Sequence, residues 1–177
     1  MAYGDLREWL IKIDEMGELV RINGAHWDLE AGAVSALAGN RMVLFDKFPG
    51  YPAGYRVLAS YARDKLERFF VTVNWSTKAR GIALTRAWLE RLREFSPLPP
   101  QWVNDGPVQE NIIRGKDVDV LKFPVPKRHE RDGGRYIGTG HTVILKDPET
   151  GRLNMGTYRL QVHDGKTLGI HASEGKD

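Results

Sequence analysis

With 177 residues, 41% of them hydrophobic and 28% charged, the chain has the balance of one ordinary globular domain, or of a small domain and part of a second. It has no cysteine, which excludes disulfides, thiolate metal sites and thiol nucleophiles, and no apolar run approaches the ~20 residues of a membrane-spanning helix. A net charge of +3 from interspersed Lys, Arg, Asp and Glu argues for neither a nucleic-acid nor a membrane partner. With no basic and apolar leader at the N-terminus, a cytoplasmic protein is expected.

The first element is an amphipathic helix. Leu6, Trp9, Leu10, Ile13 and Met16 recur at spacings of three and four, Asp5 suits the N-cap and Gly17 the stop. Residues 18–22 alternate as a half-buried strand does. A short helix is expected over 28–37, a buried strand over 41–46, a proline-glycine loop over 48–54 and another strand over 55–60. Helices follow over 64–70 and 81–95. The charges of the second, Arg86, Glu90, Arg91, Arg93 and Glu94, form a solvated face more simply than a phosphate-binding stripe.

Three prolines within 97–100 prevent both helix and central strand and mark a connector. Beyond it, 108–113 resembles a strand, 117–121 a turn of helix, and 123–126 an extended lead-in to the glycine-rich loop Asp132-Gly133-Gly134-Arg135-Tyr136. Strands are expected over 137–146, 153–162 and 167–171, joined by turns at 147–151 and 163–166. Together they make an antiparallel meander.

Arg159 offers a forked set of donors, Thr157 and Thr139 offer hydroxyls, and the loop glycines permit close backbone approach. Asn154 can give a neutral oxygen to a hard cation. These types suit a phosphate-bearing ligand, and they equally suit a plain twisted sheet with glycine turns. In a regular strand Asn154 and Arg159 point apart; either a bulge at Gly156 reunites them, or a flat ligand lies across the strand end. Of His129, His141, His163 and His171, none has the helical pairing of a zinc protease. His171, ending a strand, is the best placed of the four.

The ordered set 5-DLREWL-10, 44-LFDKFPGYP-52, 132-DGGRY-136 and 154-NMGTYRLQ-161 resembles the UbiD-like family of prenylated-FMN-dependent decarboxylases and carboxylases over nearly the whole chain. The resemblance implies an α+β fold: an N-terminal α/β domain (1–100), then part of an FMN-binding split β-barrel of antiparallel strands (101–177). It implies a decarboxylase acting on an aromatic or α,β-unsaturated acid. The alternative is a non-catalytic cofactor-binding or assembly subunit of a multi-subunit carboxylase.

By the same resemblance Thr157, Tyr158, Arg159, His171, Ala172, Ser173 and Thr139 contact prenylated FMN. Asn154 and His171 serve a divalent metal, Mn²⁺ being the expected one with K⁺ as a further ion, and Arg159 joins a catalytic charge network. A flavin prenyltransferase would supply the cofactor, and the full-length protein would be a homo-oligomer. Family members are more than twice this length, so the chain matches an N-terminal portion. It is expected to be inactive alone, with the catalytic glutamates lying beyond Asp177. Two local departures stand out: Gly175 where many relatives carry a histidine, and a short stretch over 31–41.

Overall fold

The computed structural model describes residues 3–59, 65–99 and 101–172. They fall into two compact units, each built from separate stretches: Met1–Lys12 with Lys65–Arg114, and Ile13–Asp64 with Gly115–Asp177. These units cut across a linear division at residue 100.

Helix α1 (Leu6–Glu15) starts as its sequence predicts. Asp5 Oδ1 accepts from the N–H groups of Arg7 (2.8 Å) and Glu8 (3.0 Å), and Glu8 returns a carboxylate to the N–H of Gly4 at 2.6 Å. The hydrogen bond from Glu8 N–H is the main cause holding the Asp5 carboxyl below its usual range. At the other end Gly17 adopts φ 71°, its N–H bonding Asp14 O, while Glu18 N–H bonds Ile13 O. That pair of bonds is a Schellman motif, which needs the left-handed residue that glycine supplies. Of the apolar positions, Trp9, Leu10 and Ile13 are buried, whereas Leu6 and Met16 are exposed.

The first unit also holds α3 (Leu66–Thr72) and α4 (Gly81–Glu94). Thr72 takes hydrogen bonds from Tyr3 Oη, through its carbonyl, and from Trp9 Nε1, through its hydroxyl. Trp88 of α4 stacks edge-on to Phe69 and lies 5.4 Å from Trp75. The strand expected over 108–113 is not formed. Pro107 opens a 3-10 turn (Pro107–Gln109), and Val108, Ile112 and Ile113 stay exposed with no neighbouring strand among the described residues to take their backbone groups. Short 3-10 turns at Gly115–Asp117 and Val120–Lys122 replace the helical turn expected over 117–121.

The second unit contains two sheet systems. β1 (Leu19–Asn23) and β2 (Met42–Lys47) run parallel, connected through α2 (Glu30–Leu37), and β3 (Val57–Ala59) adds antiparallel to β2. Met42, Val43, Leu44 and Phe45 are all at most 2% exposed, the pattern of a central strand covered on both faces. Phe45, Val43, Phe48, Ala25, Ala31 and Ala59 form the core, with Trp27 and Tyr51 packed against it. The other system is the sheet of β4 (Arg135–Gly138), β7 (Leu160–Val162) and β8 (Leu168–Ile170) in the order β4-β7-β8. A separate hairpin is made by β5 (Val143–Lys146) and β6 (Leu153–Gly156).

The fold is therefore α+β as expected, with small antiparallel sheets and, among the described residues, no closed barrel. The two long strands expected over 137–146 and 153–162 are each interrupted, at 139–142 and at 157–159. The ends of the 55–60 strand and the 64–70 helix, and the connector's Pro100, lie outside the described residues.

A strap joins the two systems. Lys127 N–H bonds Trp27 O at 3.0 Å, Leu29 N–H bonds Lys127 O at 2.9 Å, and Asp28 bridges Lys127 in parallel. The strap presses on α2: a Cβ at Gly32 would lie 1.9 Å from the carbonyl oxygen of Arg128. Immediately C-terminal to it stand the glycine-rich loop and β4.

Candidate functional site

The interruption at 157–159 makes the site. Where β6 ends, the chain turns instead of continuing, and Tyr158 folds back so that its ring lies over Gly156; a Cβ there would be 2.5 Å from Cε2. Tyr158 Oη accepts a hydrogen bond from Asn154 Nδ2 at 3.2 Å. β6 pairs with β5 in regular register up to Gly156, without the bulge that was one of the two alternatives there, and the irregularity lies between β4 and β7, where Tyr136 pairs with Gln161 and Gly138 with Leu160, leaving Ile137 as the extra residue. Asn154 and Arg159 thus reach one cavity by a strand break.

That cavity has a volume of about 870 Å³, the size of a site for a large cofactor. Asn154, Thr157, Tyr158, Arg159 and His171 all line it, joined by Tyr136, Gln161 and His163. Among the described residues no carboxylate lines it. Arg159 lies with its guanidinium carbon 5.2 Å from the centre of the Tyr136 ring. Arg128 is close enough for burial, together with the charge of Arg159, to pull its pKa below the ordinary arginine value, with Asp132 opposing. Among the described residues the pocket wall carries the Arg159 guanidinium and no carboxylate, which favours an anion.

Thr139 and Ala172 are exposed and do not line the cavity, while Ser173 and Gly175 lie outside the described residues. Nor do the loop glycines line it. Gln161 Nε2 donates to Gly133 O at 2.9 Å, and a Cβ at Gly134 would lie 2.8 Å from the same nitrogen. The close approach that these glycines permit is therefore taken by a side chain of the protein. The rest of the loop is closed on itself: Asp132 Oδ2 accepts from His129 N–H at 3.0 Å, and Asp132 N–H bonds His129 O. Burial pushes the Asp132 carboxyl up, yet the His129 hydrogen bonds and charge together hold it below its usual range.

For a metal, Asn154 offers an amide oxygen, and His171 and His163 offer ring nitrogens on the same cavity wall. Among the described residues no group of three His, Asp or Glu is close enough to hold an ion. The donor set of the described cavity residues thus suits a phosphate group, and for a metal these residues provide neutral donors alone.

Tyr136, Gln161 and His163 are pocket residues that the sequence alone did not single out. Tyr136 and Gln161 stand inside the quoted motifs, but their place depends on the register of β4 against β7. His163 belongs to the expected 163–166 turn, and its imidazole packs over Gly169, the cross-strand partner of Gln161, which has no side chain.

Residues 101–177 match the family model described as UbiD, 3-octaprenyl-4-hydroxybenzoate carboxy-lyase Rift-related domain. The chain is 32% identical to the pyrrole-2-carboxylic acid decarboxylase of Pseudomonas aeruginosa, over 93% of its own length and 35% of that protein's. It is 34% identical to a phenolic acid decarboxylase of Sedimentibacter hydroxybenzoicus, over 97% of itself and 37% of the relative. Among solved structures it superposes on the enzyme HmfF from Pelotomaculum thermopropionicum in complex with FMN, with TM-score 0.79 and 32% identity, covering 96% of this chain and 37% of that one. An evolved dimeric form of HmfF in complex with prFMN gives TM-score 0.80 at 31% identity, covering 97% and 39%. The chain spans less than two fifths of the length of each of these relatives.

Proposed function

We infer that this chain, related to UbiD-class enzymes along nearly its whole length, is the part of such an enzyme that holds the phosphate side of prenylated FMN, and that the whole protein decarboxylates an aromatic or α,β-unsaturated carboxylic acid. The observation that carries this is the cavity, without a carboxylate among its described residues, in which Asn154, Thr157, Tyr158 and Arg159 converge across the break between β6 and β7. When bound, the prenylated flavin supplies the electron sink for loss of carbon dioxide.

The chain's own residues supply orientation and charge. Arg159 presents a forked cation to an anionic group, Thr157 a hydroxyl donor, and Tyr158 a ring braced against Gly156. The Asn154 amide oxygen is the donor to a divalent ion, Mn²⁺ in our reading, with His171 as the imidazole nearest in role and K⁺ as a further ion. A flavin prenyltransferase is the cofactor's source. Among the described residues no carboxylic acid lines the cavity to return a proton to the product, and we propose that the chain alone binds cofactor without turnover.

Gel filtration of the chain with prenylated FMN and Mn²⁺ tests this. Flavin absorbance is expected to co-elute with the protein and to be lost from Asn154→Ala. Flavin eluting wholly apart from the wild-type chain would overturn the assignment of the cavity, and turnover of a cinnamic or hydroxybenzoic acid by the chain alone would overturn the inactivity.

A further inference from the structure

β4 carries two neighbours with opposite duties. Arg135 is held on the α/β side by three contacts: its guanidinium carbon lies 4.1 Å from the centre of the Trp27 ring, its Nε donates to Val125 O at 2.7 Å and its Nη2 donates to Tyr51 Oη at 2.7 Å. Successive residues of a strand point to opposite faces, so pinning Arg135 fixes the direction of Tyr136 into the cavity. Tyr136 is pinned a second time by its cross-strand partner Gln161, whose amide is tied to Gly133 O.

On this twice-held ring sits Arg159. Its long side chain leaves a strand break, is exposed, and among the described residues meets no carboxylate on the cavity wall. Without a seat, such a side chain samples many rotamers, and ordering it on ligand binding carries an entropic cost. An aromatic face attracts the guanidinium while leaving its N–H donors available, which an acidic partner would not do. The charge of Arg128 disfavours withdrawal of Arg159 toward the strap.

We propose that Tyr136 is the positioning residue for Arg159: its ring, anchored through Arg135 to Trp27 and Tyr51, holds the guanidinium in the cavity ready for an anionic group. The seat itself is a property of the free chain. Its consequence for cofactor affinity rests on the flavin reading above, and the two are separated by measuring the free chain first.

The Nε–H resonance of Arg159, assigned by its loss in Arg159→Lys, reports the seat through the ring current of Tyr136. In Tyr136→Leu it is expected to move to the position of a free arginine, and in Tyr136→Phe to stay shifted. Tyr51→Phe, which removes one anchor outside the cavity, is expected to give an intermediate shift. Circular dichroism confirms that each variant is folded, and the Phe variant remains informative if the Leu variant is not.

FMN binding, followed by quenching of its fluorescence, is then expected to weaken about tenfold in Tyr136→Leu and hardly at all in Tyr136→Phe. An Arg159 resonance unmoved in Tyr136→Leu would overturn the seat. So would equal loss in the Phe and Leu variants, since it would place the role in the hydroxyl. Failure of FMN to bind the wild-type chain, with the resonance shifts as expected, would leave the seat standing and contradict the flavin reading instead.

Discussion

An alanine at Gly156 would put its methyl within 3 Å of three atoms of the Tyr158 ring, all belonging to a side chain that also receives the Asn154 amide. Gly156→Ala is therefore expected to push the ring out, part the Asn154–Tyr158 hydrogen bond and destabilise the chain by about 1–3 kcal/mol, as overpacking does. Thermal melting checks the stability, and the amide side-chain resonances of Asn154 check the displacement. At the hairpin turn, Asp147 accepts from Thr150 Oγ1, Glu149 N–H and Thr150 N–H, and the Thr150 hydroxyl is the main cause of its lowered pKa. Because the folded pKa lies below the ordinary 3.8, this turn is at full strength above that value and loosens as pH falls through the depressed pKa. Hydrogen exchange at the amide of Glu149 should show protection holding down to about pH 4 and failing below, and Asp147→Asn should weaken it at every pH. Asn154, Thr157, Tyr158 and Arg159 were legible in the sequence because they stand in one motif. Tyr136 and Gln161 were not legible as pocket residues, since that depends on which residue β7 sets opposite which in β4.

Most elements could be placed from periodicity and turn chemistry, α1 down to its Asp5 cap and Gly17 stop. The failures have two physical causes. Residues 108–113 have strand composition but begin after Pro107 and have no partner strand among the described residues, and a strand without a ladder leaves its backbone groups unpaired. The strands over 137–146 and 153–162 alternate well enough to seem continuous, but each turns at a local contact that alternation does not show: Tyr158 turning back on Gly156, and His141 lying over Gly138, where a Cβ would fall 2.0 Å from its Nδ1. Helix α2 shows a similar override. By helix propensity alone Gly32→Ala should stabilise by about 1 kcal/mol. The strap backbone at Arg128 cannot yield as a flexible side-chain end could, so the substitution is expected to destabilise by about 1–3 kcal/mol or more. Urea unfolding decides the sign, and a more stable Gly32→Ala variant would mean that strap and helix are not packed so closely.

For the whole molecule, the order of four motifs along the chain carried the family resemblance further than any single site could, and the family match over 101–177 agrees with it. What the sequence did not reveal is how its stretches associate: Lys65–Arg114 groups with the first twelve residues, and the α/β sheet groups with the second sheet system. That second grouping allows Trp27 and Tyr51, far away in sequence, to hold the residue next to Tyr136. No helix of the described residues is long and apolar enough to cross a membrane. The cavity at the β6–β7 break is proposed to take the phosphate of a flavin, and comparing FMN with riboflavin on the 177-residue chain tests this most directly. Charge-assisted hydrogen bonds from Arg159 should make FMN bind about 10- to 100-fold more tightly than riboflavin, and Arg159→Ala should erase most of that difference. Equal affinity for the two flavins, or a preference for FMN that survives Arg159→Ala, would contradict it.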